Sequence, residues 1–235
     1  MHDDVMPDEL VITIDGPAGT GKSTVAHRLA QSLGLEYLDT GSMYRAAALI
    51  AIRRQLDPAD GDLLATAVAQ ESIRFDWSAS PPSIFLGEED VSARLREMDV
   101  SAKVSEVARQ PAVRLVLVEH QRSIAVEHPR LVTEGRDQGS VVFPDAKVRF
   151  FLHADPSVRA QRRVDQLAAK GSNVDLEVVM ADIEQRDHLD STRSDGPLIR
   201  PEGAIDLDTS DMSIDEVVDA MVTLVTRAVA ESGDA

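Results

Sequence analysis

The sequence predicts an α/β fold: a parallel sheet covered by helices on both faces, interrupted by a small antiparallel sheet. Three observations lead there. Apolar runs of strand length alternate with stretches of helical periodicity. The first such run, "LVITI", leads through "DGPAGTGKST" into the helix-like "TVAHRLAQSL", the strand–loop–helix order of a phosphate-binding loop. Near residues 70–98 the texture changes to short β-like runs separated by Pro and Ser.

The elements follow in order. Residues 10–15 read as a buried strand, and 22–33 as a helix with Val25, Leu29 and Leu33 spaced by four on one face. "LEYL" is a short strand, and a helix is expected from Ser42 to Arg54. Asp60 is placed to cap the helix "GDLLATAVAQ". "SIRFDW" and "IFLGEEDVS" supply the antiparallel strands, with Phe75 and Trp77 packing that sheet. Helices return at 100–108 and 111–127, where Pro111 suits a first turn. "RLVTEG" and "KVRFFLHA" are strands, and Asp155 and Pro156 open a helix over 156–169. Residues 175–192 are helical and "AIDLDTS" is the last strand. Ser213 then opens a helix with Ile214, Val217, Met221, Leu224 and Ala228 on one stripe.

Composition narrows the function classes. The 41 acidic against 24 basic residues give a net charge of −17, which argues against a nucleic-acid-binding surface. No cysteine is present, so disulfides and thiolate metal sites are excluded. The acidic start "MHDDVMPDEL" is unlike a secretory signal, and no apolar run approaches the ~20 residues of a membrane span. A cytoplasmic protein without membrane contact is expected. The basic residues comprise 20 Arg and 4 Lys. Arg presents a planar fork that fits phosphate bidentately, so where the arginines gather is informative.

Gly16, Pro17, Ala18, Gly19, Thr20, Gly21, Lys22 and Ser23 fit G-x-x-x-x-G-K-[ST], followed by Thr24. The glycines let successive backbone N–H groups point inward, and the following helix adds its positive end. Lys22 can reach the outer phosphates, and the Ser23 hydroxyl is a ligand for Mg²⁺. Kinases, GTPase switches and ATP-driven machines share this loop, so a kinase needs a second cluster for its acceptor. Two polar clusters follow strands. "LDTGSMYR" holds Asp39, Thr40, Tyr44 and Arg45, and "TEGRDQGS" holds Arg136 and Asp137. Two helical faces add arginines: Arg159, Arg162 and Arg163, then Arg186 and Arg193 with Asp190, around the Gly-containing break "AAKGSNVD". A flap that brings arginines over phosphates has this layout. Asp39 and Glu134 are secondary candidates to hold Mg²⁺ through water. The six histidines show no metal-ligand spacing.

Together "VITIDGPAGTGKST", "YLDTGSMYR", "GRDQGSVVFPDA" and "RDHLDSTR" resemble the bacterial cytidylate kinases, in consistent order over about residues 10–230. Ordinary adenylate kinases are similar in the phosphate loop but lack "GRDQG" at this place. The resemblance implies a three-layer P-loop fold with a parallel five-stranded core. After a flexible acidic N-terminus at 1–9, a single kinase domain would span 10–235. It would carry an acceptor-binding insertion at about 65–100 and a short lid at about 157–175. It implies ATP-dependent phosphorylation of CMP and dCMP with Mg²⁺, by a monomer.

By matched position, Lys22 and the loop amides resemble the donor-phosphate site, with Arg159 and Arg162 also on ATP. Arg45 and Arg136 resemble ligands of the acceptor phosphate. Thr40, Arg114, Asp137 and Arg193 resemble cytosine readers, with Tyr44 beside them, and Ser105, Arg186 and Asp190 resemble ribose contacts. Arg159, Arg162 and Arg163 fall in the lid. The resemblance counts Lys22, Arg45, Arg136, Arg159 and Arg163 as the transfer machinery. Two positions depart from the family: Thr40 stands where serine is usual, and Glu134 where an aspartate is often found. A kinase for UMP or AMP, and a regulatory NTPase switch, remain alternatives on the residues alone.

Overall fold

The computed structural model describes residues 7–169 and 171–233. Residues 1–6 of the expected flexible N-terminus, and Lys170 within the expected lid, lie outside them. Five strands form one sheet in the order β2-β6-β1-β7-β8, and three shorter strands form a second in the order β3-β4-β5. The chain divides into two compact units, Met1–Leu35 with Pro129–Ala235, and Glu36–His128. No described helix is long and apolar enough to cross a membrane.

In the first unit β1 (Leu10–Asp15) lies between β6 (Arg130–Gly135) and β7 (Val148–His153), parallel to both. Leu10, Ile12 and Ile14 are fully buried, as a strand enclosed by two neighbours requires. β8 (Ile205–Asp208) pairs parallel with β7. Asp15 is level with Gly135 and with Phe151, so the loops after β1 and β6 leave from adjacent strand ends. Ligands of open α/β sheets bind at these carboxyl ends. α1 (Lys22–Leu33) packs on β1 and β6 and against α8 (Ile214–Gly233). α6 (Pro156–Ala168) and α7 (Leu176–Thr192) pair over a small core of Ala160, Val179 and Ile183.

The second unit opens with β2 (Glu36–Asp39) and α2 (Thr40–Arg53). α2 packs on α3 (Gly61–Gln70) and α4 (Met98–Val107), and α3 packs on α5 (Pro111–Glu127). β3 (Ile73–Asp76), β4 (Ser83–Leu86) and β5 (Glu89–Asp90) form the antiparallel sheet, with Ile73 opposite Leu86 and Asp76 opposite Ser83. Phe75 and Trp77 lie 5.6 Å apart between ring centroids. Trp77 also stacks on His128 at 4.2 Å, and Glu36 holds that imidazole at 2.7 Å.

Two helix starts lie two residues earlier than the sequence expectation. α2 starts at Thr40, two residues early, because Asp39 caps it by accepting from the Ser42 N–H at 3.0 Å and the Ser42 hydroxyl at 2.6 Å. α4 starts at Met98 rather than at residue 100.

Candidate active site

The loop after β1 is shaped by its backbone. Gly16 has φ of +149°, and a Cβ there would lie 2.0 Å from the Leu152 carbonyl oxygen of β7, so only glycine lets the chain turn here. α1, like α5 and α6, has no side-chain cap and no acidic residue in its first turn, but unlike them it opens directly from the glycine-rich loop. Its first N–H groups are left to an anion. The buried Lys22 ammonium donates to the Pro17 carbonyl at 2.6 Å and to the Thr20 hydroxyl at 3.4 Å. Ser23 donates to Glu134 of β6 at 2.8 Å. A hydroxyl and a carboxylate are both hard oxygen donors, so this pair fits Mg²⁺, which takes one or two protein oxygens and fills its shell with phosphate and water. Among the described residues no group of three or more His, Cys, Asp or Glu stands ready to hold a metal.

Beside the loop lies a buried charge cluster. Arg136 donates to Asp190 at 2.7 Å, and Arg193 approaches Asp190 at 3.9 Å and Asp137 at 3.8 Å. Burial opposes the Asp190 charge, but the guanidinium groups of Arg136, Arg186 and Arg193 outweigh it and hold the carboxyl below its ordinary range. Burial pushes the Lys22 ammonium down to about 7; Arg136 adds repulsion, and Glu134, Asp15 and Asp190 oppose the shift. The Lys22 ammonium and the Arg136 guanidinium thus repel each other inside an acidic protein. Phosphate anions would relieve that repulsion.

The sequence-predicted arginines on the lid helices separate by environment. Arg159 is 5% exposed, donates to the Ala154 and Ala18 carbonyls at 3.1 and 2.9 Å, and pairs with Asp187 at 2.5 Å. Asp187 also accepts from the Ala18 N–H of the loop at 3.2 Å. Arg162 donates to the Thr209 hydroxyl and carbonyl at 3.2 and 2.5 Å and to the Met212 carbonyl at 3.3 Å. Arg163 is exposed. A common helix side therefore does not give these three a common environment. Thr24 is exposed on the outer side of α1's first turn.

The second unit carries its own group. Arg114 is buried and donates to the Tyr44 hydroxyl at 3.1 Å. Arg45 donates to the Ser101 hydroxyl at 2.8 Å and to the Leu95 carbonyl at 3.4 Å. Ser105 lies one helical turn beyond Ser101 on α4, and Thr40 is buried in the first turn of α2. Asp39 is occupied as the α2 cap. Sequence reasoning missed Asp15, Asp187 and Ser101. The first two stand inside quoted motifs, so proximity to a motif was their only signal.

The model of the cytidylate kinase family matches residues 12–227. A cytidylate kinase of Mycolicibacterium paratuberculosis is 47% identical, covering 94% of this chain and 97% of that one. One of Caldanaerobacter subterraneus is 44% identical, covering 92% and 94%. Among solved structures, an uncharacterized protein of Eubacterium ventriosum aligns with a TM-score of 0.51 at 14% identity, over 93% of this chain and 98% of that one, a likeness of fold.

Proposed function

This chain belongs to the cytidylate kinase family, and from that premise we propose that it transfers the γ-phosphoryl group of ATP to CMP and dCMP, giving CDP and dCDP. One observation carries the reading. Lys22 is buried and Arg136 half-buried, within reach of each other's charge, with Asp137 and Arg193 adjoining. Phosphoryl transfer asks little covalent chemistry of a protein and much charge neutralisation, and this cluster is built for two anions.

We assign the loop amides from Gly16 to Thr24, Lys22, Arg159 and Arg162 to ATP. Ser23, with Glu134, would hold Mg²⁺, which would supply neutralisation of phosphate charge. Arg45 and Arg136 are assigned to the acceptor phosphate, and Arg163 joins Arg159 in the lid, at about 157–175. Thr40, Tyr44, Arg114, Asp137 and Arg193 are assigned to cytosine, and Ser105, Arg186 and Asp190 to the ribose. The acceptor-binding insertion is placed at about 65–100. The cytosine amine donates where uracil has a carbonyl, so the Asp137 carboxylate accepts from the first and repels the second. A buried site of this kind can reject the wrong base by ~10⁴-fold. No general base is required, because the attacking oxygen already belongs to a phosphate.

A panel of CMP, dCMP, UMP and AMP with MgATP, following ADP release and the diphosphate formed, tests the assignment. CMP and dCMP are expected to turn over and UMP and AMP to lag by about 10²-fold or more; a preference for UMP or AMP overturns it. Asp137→Ala is expected to lower CMP turnover about 10²–10³-fold while leaving ATP affinity unchanged. The reading extends to a cytoplasmic monomer, for which sedimentation should return the chain mass of 25.5 kDa.

A further inference from the structure

Asp15 is the last residue of β1, immediately before Gly16, and its carboxyl is completely buried. Neither oxygen faces the phosphate loop's amides. One accepts from the Gln138 N–H at 2.8 Å and the other from the Gly139 N–H at 2.7 Å. Those amides follow Arg136 and Asp137 directly. Further anchors of this loop are local. The Thr133 hydroxyl donates to the Gln138 side-chain carbonyl at 2.9 Å, and the Asp137 carbonyl accepts from the Val141 and Val142 N–H groups at 2.9 and 3.1 Å. Gly139 sits so close to β1 that a Cβ would lie 2.8 Å from the Thr13 hydroxyl and 3.0 Å from Pro201.

A buried carboxylate is a costly way to satisfy two amides. Removing a carboxylate from water carries a penalty that hydrogen bonds to it have to offset. Its carboxyl is accordingly pushed up, chiefly by burial and further by Asp137, against the two amides and Lys22. What a carboxylate offers here is two acceptors on one short arm. An amide side chain of equal size would turn a donor toward one of the two N–H groups.

We propose that Asp15 is a positioning residue that ties the donor-phosphate strand to the loop bearing Arg136 and Asp137, and so sets the reading of the acceptor base. The inference rests on the proposed CMP kinase activity and adds a residue to its specificity apparatus. Asp15 touches neither nucleotide in this role. It acts through the backbone of residues 138 and 139, and Gly139 seats that backbone closely against Thr13 of the same strand.

The test compares the full-length wild type with Asp15→Asn and Gly139→Ala. Three quantities are read: kcat/KM for CMP and for UMP at saturating MgATP, affinity for a non-hydrolysable ATP analogue without acceptor, and hydrogen exchange at the Gln138 and Gly139 amides. The wild type is expected to protect both amides. Both variants should exchange them faster and lose about 10–100-fold in the CMP-over-UMP ratio, with analogue affinity within about threefold. A folded variant with released amides and an unchanged ratio overturns the proposal, as does an analogue affinity that falls in step with CMP. Unprotected amides in the wild type overturn it without any variant. Should Asp15→Asn not fold, Gly139→Ala decides by the same criteria. If the wild type does not phosphorylate CMP, the activity reading falls, and the exchange data still report whether Asp15 holds the loop.

Discussion

The Arg136 guanidinium is held by a neighbouring carboxylate. Asp190 takes its Nε at 2.7 Å, so removing this carboxylate releases the guanidinium assigned to the acceptor phosphate. Asp190→Ala is therefore expected to lower kcat/KM for CMP and dCMP alike, by about 10–10²-fold, in addition to narrowing any preference between them. Loss of the preference alone would confine Asp190 to the ribose. Asp15 makes a pH prediction. Burial pushes its carboxyl up from 3.8 to about 7; the Gly139 and Gln138 amides and Lys22 oppose the shift, and Asp137 adds to it. The folded value lies above the unfolded one, so the group's contribution to stability is complete below about pH 4 and is lost as pH rises through about 7. The side-chain carboxyl ¹³C shift of the ligand-free protein should titrate near neutrality; a midpoint below about 5 would contradict the burial argument. Arg136 and Asp137 were legible in the sequence because a polar cluster followed an apolar strand. Asp15's role was not, because its partners lie 123 and 124 residues away and local spacing carries no trace of them.

At the scale of elements, the α6–α7 pair is fastened to the phosphate loop by one carboxylate. Asp187 receives the Ala18 amide and the Arg159 guanidinium, and Arg159 returns a bond to the Ala18 carbonyl. Asp187→Ala leaves a buried guanidinium short of its counter-charge, and a loss of about 1–3 kcal/mol in stability is expected. Exchange at the Ala18 amide should quicken in the ligand-free protein, and unchanged exchange would show that the fastening is unimportant. Strand 10–15 was readable as a mostly apolar run bounded by Gly and Pro, and α3 through its Asp60 cap. The start of α2 was not, since "DTGS" resembles a loop until Asp39 is seen to cap rather than bind metal. The tight turn over Gln138–Val142 also left no pattern, because it depends on the Asp137 carbonyl accepting two amides at once.

For the whole molecule the excess of acid dominates. Exposed pairs such as Arg53 with Glu89 at 2.7 Å and Arg94 with Asp99 at 2.5 Å contribute little in high-dielectric solvent, so screening them costs little. Self-repulsion from a net charge of −17 is screened by the same salt. Raising NaCl from about 0.05 to 0.5 M is expected to raise Tm; a fall would mean that the ion pairs outweigh the repulsion. A parallel sheet was legible from the alternation of strand and helix periods, and its five strands from the family resemblance. The extent of the second unit, Glu36–His128, was not, because helices α2 to α5 bear no compositional mark of belonging together.

Trp77 is the only indole in the chain and it rests on His128, inside that second unit. Emission excited at the red edge of protein absorbance therefore witnesses this unit alone, and a protonated imidazole at van der Waals distance should dim it. Denaturation followed by that light, set beside far-ultraviolet dichroism that samples every helix, would reveal whether the molecule comes apart in one step or two.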